Sequence, residues 1–423
     1  MSAAPQTDTL LEHLFRREAG RMVAYFTRRF GPAHLDLAEE TVQEAMLRAL
    51  QTWPYQGVPE NAAAWLFRVA RNSAIDAIRR RRVLAGEEVL AEIARGDSFP
   101  AGDPLTEEQL RDDELSMIFM CSHPEISQDA SVALSLKTVG GFSVREIARA
   151  FLADEATIAQ RLVRAKRQIR DRGLSIEMPR GDELKQRLDS VLETIYLIFN
   201  EGYTAHEGED LIRRDLCEEA LRLGRLVATS SIGTPKTHAL VAMMALQAAR
   251  LAARVDAAGE LVLLEKQDRN RWDRELIGLG FHHFNLCMAG DEVTEYHAQA
   301  AIAATHARAG DAESIEWPWI LQFYDQLLAI NPSPVVALNR AVAVARVHGA
   351  EKALAEVDRL EQERKLRDYY LLLAVRGHLL LELGRLSEAS ANFEAALKMP
   401  CSEPERRFLR RKLEACQAPL TAE

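Results

Sequence analysis

The feature that most constrains this chain lies near its end. In RGHLLLELGRLSEASANFEAALKMP, residues 376–400, small and apolar residues fall at Gly377, Leu380, Gly384, Leu386, Ala389, Phe393 and Ala396. These are the spacings of two short helices joined by a tight turn. The small residues let the helices approach, and Phe393 fills the gap they leave. Such a pair buries only one face by itself, so several pairs must stack before any is stable. The second-helix half of the pattern recurs upstream in ILQFYDQLLAINP, at Ile320, Tyr324, Leu327 and Pro332. Between the two, VVALNRAVAVARVHGAEKALAEVDRL reads as another unit. A stack of tetratricopeptide-like helix pairs over residues 180–423 is therefore the expectation, with a plain helical bundle as the alternative.

The rest of the chain is also expected to be helical. Its 423 residues exceed what one core holds, and an aromatic share of 6% alongside abundant Ala, Leu, Glu and Arg favours helix over sheet. Residues 8–83 show helical periodicity: LDLAEETVQEAMLRALQTW repeats apolar residues at Leu37, Val42, Ala45, Met46, Ala49, Leu50 and Trp53. The turn-rich YQGVPEN, Tyr55 to Asn61, separates that helix from the next. Residues 84–113 carry Gly, Pro and many acids and read as a linker with room for one short helix; residues 114–175 are helical again. Cys121, Cys217, Cys287, Cys401 and Cys416 are scattered without a C-x-x-C pair, which fits reduced thiols rather than a zinc ribbon or a disulfide framework. The first residues lack the basic-then-apolar order of a signal peptide, and no apolar run is long enough for a membrane span. A cytoplasmic protein is expected.

Two basic segments stand out against a formal net charge of -10. The first is AWLFRVARNSAIDAIRRRR, Ala64 to Arg82. Its Leu66, Val69, Ala70, Ser73 and Ala77 face inward, while Arg68, Arg71, Asn72 and Arg79 face outward beside Trp65. Arginines on such a face neutralise phosphates, and an aromatic or amide side chain can meet an unstacked base. A polar outer face with a basic end favoured by the helix dipole explains the same residues without nucleic acid.

The second is FSVREIARAFLADEATIAQRLVRAKRQIRDRG. Ser143 and Glu146 form a capping box that starts a short helix, and Asp154 can cap a second one running to about Arg172. On the second helix Ile158, Leu162, Ala165 and Ile169 make the buried stripe, and Thr157, Gln160, Arg161, Arg164 and Arg167 line the outer face. This is the sequence form of a helix-turn-helix. Glu155, Thr157, Gln160 and Arg161 would reach base edges, and Arg164, Lys166, Arg167 and Arg170 would hold phosphates. A solvated charged helix pair is the plain alternative.

These motifs, in this order, resemble the extracytoplasmic-function (ECF) sigma factors of bacterial RNA polymerase, within the sigma-70 superfamily. DLAEETVQEAMLRALQTW resembles the domain-2 helix that binds the polymerase clamp. AWLFRVARNSAIDAIRRRR is similar to the helix that recognises the promoter -10 element, and the Ser143-containing segment is similar to the domain-4 helix-turn-helix that reads the -35 element. IYLIFNEGYTAHEGEDLIRRDLCEEALRL, GELVLLEKQDRNRWDRELI and INPSPVVALNRAVAVA resemble the long tetratricopeptide-like extension of one ECF subgroup, which there stands in for a dedicated anti-sigma factor.

The resemblance implies an all-α protein: sigma domain 2 over 8–83, an acidic linker over 84–113, sigma domain 4 over 114–175 and a regulatory helical-repeat domain over 180–423. Carried over residue by residue, it places Glu39, Glu40, Val42, Gln43 and Glu44 on core polymerase. It places a flipped -10 base at the Tyr55–Asn61 loop, with Trp65, Arg68, Arg71, Asn72, Arg79 and Arg80 along the -10 DNA. It assigns Glu155, Thr157, Gln160, Arg161, Arg164 and Arg167 to the -35 duplex. Two positions depart from the family pattern: Leu152 stands where the turn usually has glycine, and Ala159 where a basic residue is common. Core RNA polymerase and promoter DNA are the implied partners, with a small regulatory protein on the C-terminal domain. No cofactor, metal, membrane contact or catalytic residue is implied, since polymerase performs the chemistry. A free-standing helix-turn-helix regulator with a ligand- or protein-binding repeat domain is the alternative, and it leaves the EETVQEAMLRAL face without a purpose.

Other motifs yield structural expectations. No P-loop, G-x-S-x-G, H-E-x-x-H or G-x-G-x-x-G occurs, so no enzyme reading has a motif behind it. FNEGYTAHEGED lacks ligand spacing for a metal, and its Asn200-Glu201-Gly202 reads as a glycine-capped helix end. His282 and His283 diverge on a helix and cannot readily share one ion. EKQDRNRWDRELI reads as an ion-pair network of Asp268, Arg269 and Asp273 around Trp272.

Overall fold

The computed structural model describes residues 4–85, 106–151, 153–203, 213–256 and 259–417, with side chains described from residue 15 onward except for 79–85. Among the described residues the fold is all-α: eighteen α-helices, no strand, and one isolated bridge between Val255 and Leu261. None of these helices is long and apolar enough to cross a membrane. The chain divides into two compact units, Met1–Leu197 and Ile198–Glu423.

The first unit is built on α1 (Ala4–Phe30). On one side it packs α2 (Leu35–Gln56) and α3 (Ala62–Ala85); on the other it packs α4 (Glu107–Cys121) and α5 (Gln128–Thr138). The short α6 (Val144–Ala150) and the longer α7 (Glu155–Arg172) complete it against α5. Met22, Phe26, Leu37 and Leu66 are fully buried in the α1–α3 half, and Met117, Phe119 and Leu134 in the other. The two halves meet at very close range. A Cβ on Gly20 would stand 1.9 Å from the backbone oxygen of Val139, a distance no side chain tolerates, so glycine is required for α1 to lie on the end of α5.

Charge holds the same seam. Buried Arg21 reaches Glu107 at 3.1 Å and Glu18 at 3.7 Å, Arg28 and Arg29 flank Asp113 at 3.4 and 3.6 Å, and Arg16 meets Glu146 at 2.7 Å. Burial raises the pKa values of Glu18 and Asp113, and the neighbouring arginines oppose the rise. The C-terminal end of the linker read over 84–113 is helical, because Thr106 and Gln109 form a reciprocal capping box that starts α4 at Glu107. The box expected between Ser143 and Glu146 opens α6, at 2.8 and 3.1 Å. The Asp154 side chain makes no cap bond to α7.

The helix α8 (Gly181–Tyr203) carries the chain into the second unit. There α9 (Arg214–Ala228), α10 (Pro235–Ala248), α11 (Arg274–Cys287) and α12 (Glu295–Arg308) gather around α10, whose Leu240 to Ala245 are all fully buried. Next come α13 (Trp317–Ile330), α14 (Pro334–His348), α15 (Ala350–Leu360), α16 (Tyr370–Glu382), α17 (Leu386–Ala396) and α18 (Glu403–Gln417). Each packs on its neighbours in sequence. Within this run a Cβ on Gly377 would come within 2.9 Å of the Phe393 ring, and Phe393 is 1% exposed, so the small-to-large fit expected from the spacing joins α16 to α17.

Two expectations change. Gly202 is the penultimate residue of α8 as described and is not a left-handed cap; glycine is needed there because a Cβ would lie 2.8 Å from backbone atoms of Arg213 and Cys217. Around Trp272, Arg269 stacks at 4.6 Å and donates to the carbonyls of His306 and Ala309, both at 2.8 Å. Asp268 and Asp273 instead cap backbone N–H groups. The network joins cation to carbonyl and aromatic ring, not to carboxylate.

Candidate nucleic-acid interface

The helix α2 turns one stripe to the core: Leu37, Ala38, Thr41, Val42, Ala45, Ala49 and Trp53. Val42 is 2% exposed, so it supports the helix from within and has no surface to offer a partner. Glu39 is also largely covered, with 11% of its side chain exposed. The exposed side presents Glu40, Gln43 and Glu44, with Glu44 bound to Arg48 at 3.0 Å. It continues into Leu47 and Leu50, which are 54% and 57% exposed. Periodicity alone groups Leu50 with the apolar stripe, but it sits one residue past Ala49, about 100° around the helix and outside the core arc. The exposed side of α2 is therefore a surface of acids followed by two bare leucines, and its apolar half is legible only once Ala49 and Trp53 fix the arc.

Immediately after Pro54, in the last turn of α2, Tyr55 is 91% exposed, and Val58 in the following loop is 49% exposed. Asn61 closes that loop by accepting from the Ala64 N–H at 2.9 Å, which starts α3. Trp65 is half-buried, edge-on to Trp53 at 5.5 Å, and Trp53 in turn rests on Phe15 at 5.3 Å. Arg68 and Asn72 are exposed on the same side of α3, and Arg71 lies lower, with its Nε buried and lacking a hydrogen-bond partner. The side chains of Arg79 and Arg80 lie outside the described residues.

On α7 the structure separates residues that the pattern grouped. Glu155, Thr157, Gln160 and Arg164 are exposed. Arg161 leans on Asp129 at 3.5 Å. Arg167 is 72% exposed and held by Asp171 at 3.1 Å, and Arg170 touches the same carboxylate at 3.6 Å. Lys166, expected on phosphate, instead turns inward to Asp36 and Glu39, both at 2.7 Å, and these carboxylates outweigh burial to raise its pKa. That clasp ties α7 to the start of α2. Val163 was not singled out from sequence, yet it is 65% exposed beside Gln160 and Arg167, an apolar contact on an otherwise polar face. Its position outside the Ile158–Leu162–Ala165–Ile169 stripe is the signal that would have found it.

Among the described residues no group of His, Cys, Asp and Glu could hold a metal ion. The acidic stretch from Thr204 to Asp210, with His206, lies outside the described residues. His283 does not pair with His282. The two rings stand at 85°, and His283 Nδ1 meets His238 Nδ1 at 2.8 Å.

Comparisons with known proteins agree with this layout. Residues 14–83, which span most of α1 through α3, match the family described as Sigma-70 region 2. Residues 187–288 match a family of unknown function, DUF6596. The chain is similar to an uncharacterized protein of Rhizobium meliloti (strain 1021), 42% identical over 398 residues that cover 93% of this chain and 92% of the relative. Over 161 residues, 38% of this chain and 60% of the relative, it is 27% identical to the ECF RNA polymerase sigma factor SigE of Mycolicibacterium smegmatis. No solved structure matches. The chain thus carries a Sigma-70 region 2 segment over α1–α3 and is related over nearly its full length to the Rhizobium meliloti protein.

Proposed function

We propose that this protein is a promoter-specificity subunit of the ECF type. In this reading it binds core RNA polymerase through the exposed side of α2, opens the -10 element on α3 and docks α7 on the -35 duplex. The C-terminal helical stack acts as a tetratricopeptide-like regulatory extension that modulates those contacts and receives a small regulatory protein. The observation that carries the reading is the Sigma-70 region 2 match across α1–α3, on which Arg68 and Asn72 are exposed beside Trp65 and the bare Tyr55. Cations there can follow a melted strand, and the aromatics can take an unstacked base. The sigma-type role requires no catalytic residue of its own.

Run-off transcription with core polymerase, plus or minus the full chain, tests the proposal. Promoter-dependent transcripts are expected only with the chain present. The Arg71→Ala, Asn72→Ala double variant should retain core binding and lose open complexes. Transcription that survives this pair removes α3 from the -10 role, and no chain-dependent transcript from any promoter removes the function.

A further inference from the structure

The second unit carries a half-open cavity of about 340 Å³ between α13, α14, α16 and α18, large enough for a small organic molecule. Most of its wall is hydrocarbon and aromatic, with Leu263, Trp317, Val342, Val375 and Leu379 among the lining residues. A few polar groups interrupt that wall. Arg346 is answered by Glu265 at 2.6 Å, and Glu382 by His378 Nε2 at 3.4 Å. Lys412 has no such answer. Its Nζ lies over the Phe408 ring at 5.6 Å, and among the described residues no carboxylate comes within ion-pair distance of it. The Nδ1 atoms of His378 and His306 are buried without a hydrogen-bond partner. Two buried imidazole nitrogens without a partner, beside a half-buried ammonium that no described carboxylate neutralises, give the apolar chamber a polar end that an occupant could engage.

We propose that this cavity binds a small amphipathic organic acid, its apolar body against Val342, Val375 and Leu379 and its carboxylate on Lys412. A purely apolar ligand would leave Lys412 without a counter-charge, and a cationic one would meet its like charge. Nothing in this site depends on polymerase or DNA binding, so it stands or falls apart from the proposed transcriptional role.

The test uses the full chain and three probes of equal chain length: dodecanoate, dodecanol and dodecyltrimethylammonium. Trp317 on the wall reports occupancy by fluorescence, and calorimetry confirms stoichiometry. Dodecanoate is expected to bind saturably below its micelle concentration, more tightly than dodecanol, with the ammonium probe not binding. Lys412→Met should weaken dodecanoate roughly tenfold, the loss of one charge-assisted contact, and leave dodecanol unchanged. Ala374→Leu, which fills the chamber, should weaken both. A photoactivatable dodecanoate on the unmutated chain should label peptides of α14, α16 or α18, which keeps the test decisive if a variant unfolds. Absence of saturable dodecanoate binding, equal affinity in Lys412→Met, or labelling elsewhere would each overturn the proposal.

Discussion

At the scale of single residues, environment decides what a side chain can do more than its type does. His282 and His283 are neighbours in sequence, yet His283 is 2% exposed and bonded to His238, while His282 presents only a ring edge to it. Burial, with His238 and then His282 adding to it, pushes His283 down to about 4 from the ordinary value near 6.5. In the unfolded chain the imidazole takes a proton near pH 6.5; in the folded chain it resists until about 4. The unfolded state therefore binds more protons across that window, so this residue's contribution to stability is complete above pH 6.5 and is lost as pH falls toward 4. His283→Gln, which can still bond His238, should give a shallower fall of urea midpoint with pH over this interval than the parent chain. Parallel pH profiles would show that burial of His283 does not contribute to the acid sensitivity.

At the scale of elements, the most telling contact is the one that joins α7 to α2. Lys166 and Glu39 are 16% and 11% exposed and face each other at 2.7 Å, so removing either partner strands a partly buried charge. Lys166→Met should cost about 1–3 kcal/mol. The double variant Lys166→Met, Glu39→Gln should recover part of that loss, a coupling readable in a double-mutant cycle by urea unfolding. Additive losses would mean that the clasp contributes nothing beyond its separate members. This contact also marks the limit of what sequence could supply. The cap at Ser143, the stripe from Ile158 to Ile169 and the Gly377–Phe393 fit were legible because each is set by spacing within a few turns. The turning of Lys166 away from the phosphate-holding set was not, because its partners Asp36 and Glu39 lie in another segment and nothing local announces them. The close approach of Gly20 to Val139 was hidden for the same reason. Leu50 was misplaced because apolar type and near-periodicity cannot distinguish the edge of a core arc from bare surface.

At the scale of the whole molecule, charge is the governing quantity. A chain with net charge of -10 repels DNA at long range, so cations on one face act only where something else brings that face to the duplex. In the proposed role polymerase provides that delivery, and the arginines of α7 then divide by duty. Arg164 and Arg167 are exposed and suited to phosphate, whereas Arg161, lying nearer the N-terminus of the helix and against Asp129, is placed for base edges. The two duties differ in their response to salt. Each phosphate neutralised adds about 0.9 to the slope of log affinity against log salt, while a base-edge contact changes preference among sequences with little effect on the slope. For the chain bound to core polymerase, the Arg164→Ala, Arg167→Ala double variant should lower that slope by about 1–2 and weaken all duplexes alike. Arg161→Ala should leave the slope near the parent value and narrow the gap between a preferred and a scrambled -35 sequence. An unchanged slope in the double variant would mean that α7 does not lie on the duplex, whatever its resemblance to a recognition helix.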